Sequence, residues 1–209
     1  DKTFDIIQLS LVDTFAATSA GAFTLSENSL YTREAWALML SRLSPDGIIS
    51  ATRWYTAQRP GEIYRLAALA VQTLKDAGIK DVRKHIILIR LNRNPDATTG
   101  NSSGLGSLLL SKRPFTDKEI NAIEDLCKRM KFEIAVSSRH CSDPTLAGIT
   151  SDQFEKTVSD SPLLICAPTD DSPFFFQMVR LKDWARVDLL DSDRMIEAYS
   201  SALINLGLL

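Results

Sequence analysis

Thr3-Phe4-Asp5-Ile6-Ile7-Gln8-Leu9-Ser10 is the stretch on which the fold turns. It is β-branched and apolar with a single carboxylate, and it reads as a strand buried on both faces, as in a parallel sheet. Outward from it, Thr32 offers a helix cap, and Trp36, Met39, Leu40 and Leu43 recur at helical spacing. Ser44-Pro45-Asp46-Gly47 ends that helix, because proline cannot continue it and glycine supplies the turn. Residues 48–54 form the second strand. Pro60 suits the first turn of the next helix, whose stripe is Ile63, Leu66, Ala67, Ala70 and Leu74, with Gly78 placed as its C-terminal cap. Residues 85–91, HIILIRL, form the third strand. Strand–helix–strand–helix–strand with connections long enough for crossovers is the signature of a parallel α/β sheet.

Beyond residue 91 the pattern changes. Residues 92–103 read as a polar loop and 105–111 as a strand, antiparallel to the third. Thr116 with Glu119 makes a capping box ahead of a helix bearing Ile120, Ile123, Cys127 and Met130. A short strand over 132–136, a loop over 139–149 and a short amphipathic helix over 151–158 follow. A proline-punctuated segment occupies 161–176, and a helix is expected over about 193–206. The expectation is an α/β fold: parallel strands with an antiparallel hairpin at one edge over 1–115, and an α+β extension packed on it over 116–209.

Composition bounds the partners. With 24 basic and 26 acidic side chains the net charge is −2, which is not the footprint of a nucleic-acid groove. Three cysteines do not make a disulfide framework, so a reducing, cytoplasmic setting is expected. No apolar run approaches the roughly 18–20 residues that span a bilayer. No signal peptide is expected at Asp1-Lys2-Thr3, which leads directly into the first strand; such an opening reads as that of a piece cut from a longer protein.

The motifs begin with an absence, since no glycine-rich turn follows the first strand to bring backbone N–H groups to a nucleotide. Gly104-Leu105-Gly106 leads into a hairpin strand rather than a helix, so it is read as structural. Adjacent His140 and Cys141 give neither a metal-ligand spacing nor a catalytic pair, Cys127 falls on an apolar stripe, and His85 opens a strand in a surface or capping role. No metal site is expected.

Two acidic segments carry more. Asp13 lies just past the first strand, where open α/β sheets place their ligands, and it could orient or deprotonate a nucleophile or simply cap a turn. Thr169-Asp170-Asp171-Ser172-Pro173 precedes Phe174-Phe175-Phe176. Adjacent carboxylates repel, so this pair implies backbone donors or a cationic partner, or else a turn that locks the tail onto the core. The three phenylalanines cannot share one face, so both faces are expected to be covered.

Phe4-Asp5-Ile6-Ile7, Asp13, residues 30–36 (LYTREAW) and residues 43–48 (LSPDGI) resemble the second half of spermidine synthases. Residues 8–14 (QLSLVDT), 111–116 (SKRPFT) and 168–176 (PTDDSPFFF) resemble the spermidine synthase-like domains of large bacterial membrane proteins. The resemblance covers most of the chain, specifically in these stretches and generically in the helices. It implies a Rossmann-like, methyltransferase-type sheet of which this chain holds the second half, with the cofactor-binding half upstream. The longer parent would be an integral membrane protein binding S-adenosylmethionine or its decarboxylated form, while this chain would hold no cofactor and not act alone. Any membrane contact would come from flanking segments of the parent. Asp13 would be the catalytic residue, with Ser10, Asp170 and Asp171 on the substrate side.

The departures from that family matter equally. The family's D-x-x-D-P becomes Ser10-Leu11-Val12-Asp13-Thr14 here, so only the second acid is present. Serine at its ordinary pKa cannot serve as the base for an attacking amine, and a neutral hydroxyl forfeits half the charge that would hold a polyamine. A non-catalytic interaction or sensing module that keeps the fold without the chemistry is therefore the rival reading. A sheet cut at its middle also exposes an unpaired strand edge, from which a homodimer is expected.

Overall fold

The structure, a computed structural model, describes residues 2–11, 27–55, 60–92 and 104–178. Its elements are β1 (Phe4–Ser10), α1 (Arg33–Arg42), β2 (Leu43–Trp54), α2 (Gly61–Asp76), β3 (Ile86–Asn92), β4 (Gly104–Ser111), α3 (Asp117–Met130), β5 (Glu133–Val136), α4 (Pro144–Ile149) and α5 (Phe154–Asp160). The small-residue stretch 16–22 (AATSAGA), which the sequence implies is a loop, most of the polar loop over 92–103 and the helix over 193–206 lie outside the described residues.

The strands form one five-stranded mixed sheet in the order β1-β2-β4-β3-β5. Only β1 and β2 pair in parallel; β2–β4, β4–β3 and β3–β5 are antiparallel. β1, β2 and β3 nevertheless run in one direction, because β4 opposes both β2 and β3. This corrects the expected parallel sheet with its hairpin at one edge, since the hairpin strand β4 lies inside the sheet and keeps β2 and β3 apart. Periodicity gives a strand's existence but not its neighbour, so spacing alone could not reveal the insertion.

β1 is corrected as well. Among the described residues it is an edge strand rather than one buried on both faces: Phe4 is 41% exposed and Ile6 67%, while Leu9 is buried. The helix ends at Arg42, before Ser44-Pro45-Asp46-Gly47: Leu43, expected on its stripe, is already extended, and 44–47 form an irregularity in the first part of β2, where two steps along β1 (Phe4 to Ile6) match five along β2 (Leu43 to Ile48).

Side chains alternate between two layers along each strand. The in-register row Leu9, Ala51, Leu108 and Leu88 faces the larger core, shared with Trp36 and Leu40 of α1, the apolar face of α2, Leu146 and Ile149 of α4, and Phe154 of α5. Ile87, with partly buried Ile48, Ile89 and Leu109, packs on the other face against Phe115 and against Ile120 and Ile123 of α3.

Local chemistry accounts for the helix ends. Thr32 accepts from the Ala35 amide, and Gly78 takes φ +80° just past α2. The Thr116–Glu119 capping box is formed. Met130, expected on the apolar stripe of α3, is 53% exposed. Residues 144–149, read as loop, form α4, whose first turn is set by Pro144 and by the Asp143 carboxylate accepting from the Thr145 and Leu146 amides. Among the described residues no helix is long and apolar enough to cross a membrane.

Candidate functional site

The proline-punctuated segment is built around Arg65, a guanidinium on the apolar face of α2 that is 3% exposed. Its Nε donates to the Cys166 carbonyl at 3.0 Å, and Nη1 donates to the carbonyls of Phe174 and Phe175 at 3.0 Å each and to that of Gln177. These acceptors belong to two limbs of chain, 163–168 and 174–178, closed at the base by Leu164 N–H to Met178 O at 2.8 Å. The limbs bury Leu163, Ile165, Phe175, Phe176 and Met178. At ~1.5–3 kcal/mol for each fully buried large apolar side chain, the limbs are core and not a lid. Phe175 and Phe176 are buried while Phe174 is only partly so, and Phe175 stacks on Tyr31 at 4.5 Å between centroids.

Between the limbs the tip Thr169–Ser172 makes a tight turn, with Ser172 N–H donating to Thr169 O at 2.9 Å. The turn seats on the start of α1. Arg33 N–H donates to Pro168 O, Asn28 N–H to Pro173 O, and Asp170 N–H to a Glu34 carboxylate oxygen at 3.0 Å. An open cleft of about 630 Å³ results, lined by Glu27, Ser29, Glu34, Ala35, Leu38, Asp170 and Pro173. Three of these seven residues are carboxylates, and among the described residues no cation pairs with any of them. Leu38 lies 58% exposed on one wall. The surface thus offers negative charge flanking short apolar patches.

The residues singled out in the sequence are distributed as follows. Asp170 lines the cleft, while Asp171, beside it on the turn, does not. Ser10 is exposed at the end of β1, in register with Thr52, whose hydroxyl lies 2.7 Å from that of Ser107 on β4; it does not line the cleft. Leu11 then takes φ +47°, a left-handed turn out of the sheet. Asp13 lies outside the described residues. Glu27, Glu34 and Arg65 were not singled out. Only Arg65 left a signal, as a lone charge within the apolar run 63–71.

The carboxyl ends of β2 and β3 carry further polar groups. Arg53, fully buried, donates from Nε to Glu62 at 2.9 Å and lies 4.7–5.6 Å from the ring centroids of Tyr31, Phe175 and Phe176. Its Nη2, at 2.8 Å from the same Glu62 oxygen, makes an ionic rather than a directed contact. Tyr64 donates its hydroxyl proton to Asp143 at 2.7 Å; burial and that acceptor push its phenol well above the ordinary range. Burial, then the Asp143 charge, raise Tyr55 likewise. Both phenols therefore stay neutral; Tyr64 donates to Asp143, and the Tyr55 oxygen accepts from Arg90. Gly104 and Gly106 are structural: a Cβ at Gly104 would overlap the Tyr55 carbonyl, and one at Gly106 would meet Ile63 Cδ1 at 2.6 Å. His85, expected at the surface or capping, is buried with Nδ1 3.0 Å from the Ser111 carbonyl. Cys127 is buried, as its stripe implied. Among the described residues no cluster of His, Cys, Asp or Glu could hold a metal ion.

No protein-family model and no curated protein matches this chain.

Proposed function

We propose that this chain is the acceptor-side half of a spermidine synthase-like, S-adenosylmethionine-type transferase domain, and that the cleft beside α1 takes an aliphatic amine. One observation carries the reading: Glu27, Glu34 and Asp170 converge on one open cleft with Ala35, Leu38 and Pro173 between them. Ammonium groups spaced by methylenes complement such a surface, charge to carboxylate and chain to apolar wall. The sheet supports the same reading. Three co-directional strands joined by helices are what half of a Rossmann-like sheet requires, and ligands of such sheets lie beyond the carboxyl ends of the strands; in the sequence Asp13 comes three residues after the end of β1. In the parent, a neutral acceptor amine would attack the carbon next to a sulfonium, the C–N bond forming as the C–S bond breaks, the neutral thioether leaving and the amine's surplus proton passing to water, helped chiefly by positioning and charge complementarity. The rival, a non-catalytic binding module, is favoured by Ser10, which stands where the family's first acid would be, and by the lack of a glycine-rich nucleotide turn after the first strand.

Titration calorimetry tests the proposal. Spermidine and putrescine bind saturably at about 1 mM or tighter. The affinity weakens with added salt, and E34Q and D170N each lower it by about two- to five-fold, the scale of an exposed charge pair. Absence of heat with both amines at low salt would overturn the amine cleft. On the longer parent, no heat with S-adenosylmethionine, its decarboxylated form or methylthioadenosine would overturn the transferase reading and leave the binding module.

A further inference from the structure

The cleft's acidic wall hangs on a turn with little holding power of its own. The turn Thr169–Ser172, exposed from Asp170 to Ser172, is closed by one main-chain hydrogen bond, and its only described side-chain acceptor on α1 is Glu34. Its direction is set by the spacing and twist of the two limbs that carry it. Those limbs are not paired as a ladder; between the base bond Leu164–Met178 and the tip bond Thr169–Ser172, no main-chain hydrogen bond joins them among the described residues. The Arg65 guanidinium fills that gap. It bonds one limb through Cys166 O and the other through the carbonyls of Phe174, Phe175 and Gln177. A planar fork of donors bonded to both limbs fixes their separation and their relative rotation, which a single-point ammonium cannot do.

We propose that Arg65 is the positioning residue of the cleft, holding the Asp170 turn against Glu34 by stapling the two limbs together from below. It touches no ligand and acts through the carbonyls. The claim rests on the amine-cleft reading only where ligand binding is the readout; the placement of the turn can be measured without any ligand.

Amide hydrogen exchange and calorimetry on the whole chain make the test, with the variants R65K and R65M. In R65M, exchange at the amides of Asp170, Ser172 and Arg33 speeds up at least tenfold more than at Ala51 and Leu108 in the sheet, and spermidine affinity falls at least as far as in D170N. R65K keeps the charge but not the fork; it recovers most of the thermal midpoint while the turn still exchanges faster than in the wild type, a separation that a merely packing role would not produce. If R65M does not fold, R65K alone decides by that same comparison. Unchanged exchange at Asp170 and Ser172, or acceleration no greater than that of the sheet, would overturn the proposal. If the wild-type chain binds no spermidine, the amine reading falls while the exchange data still judge the staple.

Discussion

At the scale of single residues, the arginines divide the work. Arg65 and Arg53 are buried and serve main-chain carbonyls or aromatic faces, whereas Arg113 is partly exposed and joins Asp46, in the irregular first part of β2, to Glu119 at the start of α3. Glu119 also accepts from the Thr116 amide and hydroxyl. The Arg113 hydrogen bond first, and the Thr116 amide second, hold its carboxyl at about 2, down from an ordinary 4.5. A folded-state value below the unfolded one stabilises the protein above the unfolded value, and that contribution disappears as pH falls through the folded value. The stability difference between wild type and E119Q is therefore expected to be full at pH 7, to shrink below about 4.5 and to vanish near 2. Thermal melts at a series of pH values measure it; a difference that grows on acidification would contradict the pairing.

At the scale of elements, the sequence was most legible where a local rule sufficed. The Thr32 cap, the Thr116–Glu119 box, the apolar stripe of α2 and the turn at Gly78 are each set within one or two helical turns, and each formed. What lay beyond reach was non-local. TFDIIQLS is compatible with an interior or an edge strand, since apolarity says nothing of which neighbours arrive. α4 was legible in principle, because Asp143-Pro144 is a cap followed by proline at the first helical position. Of the site, Asp170 was visible as a paired carboxylate, but Glu27 and Glu34 resemble any surface acid until the 168–173 turn is folded onto them. The glycines of β4 give the prediction for this scale. A Cβ at Gly106 meets the end of the Ile63 side chain, which is able to shift, whereas one at Gly104 meets the backbone oxygen of Tyr55. G106A should cost about 1–2 kcal/mol and G104A more. Urea denaturation in which G104A equals wild type would refute this account of the G-x-G.

At the scale of the whole molecule, β1 has no partner on its outer side among the described residues, with Phe4 and Ile6 exposed and no proline or lysine within Phe4–Ser10. Self-association through this edge is the proposal that follows. Sedimentation at micromolar concentration should report a dimer, and I6K should shift it toward monomer; a clean wild-type monomer would count against it. The placement of β4 between β2 and β3 has a temporal consequence. During synthesis β2 and β3 leave the ribosome before the strand that belongs between them, and 19 more residues separate the end of β3 at Asn92 from the end of β4 at Ser111. At ~5–20 residues per second that is a delay of roughly 1–4 s. Throughout it the facing edges of β2 and β3 are free to pair directly with each other, in parallel. The nascent chain must therefore either hold those edges apart until the hairpin returns or undo a wrong sheet to admit it.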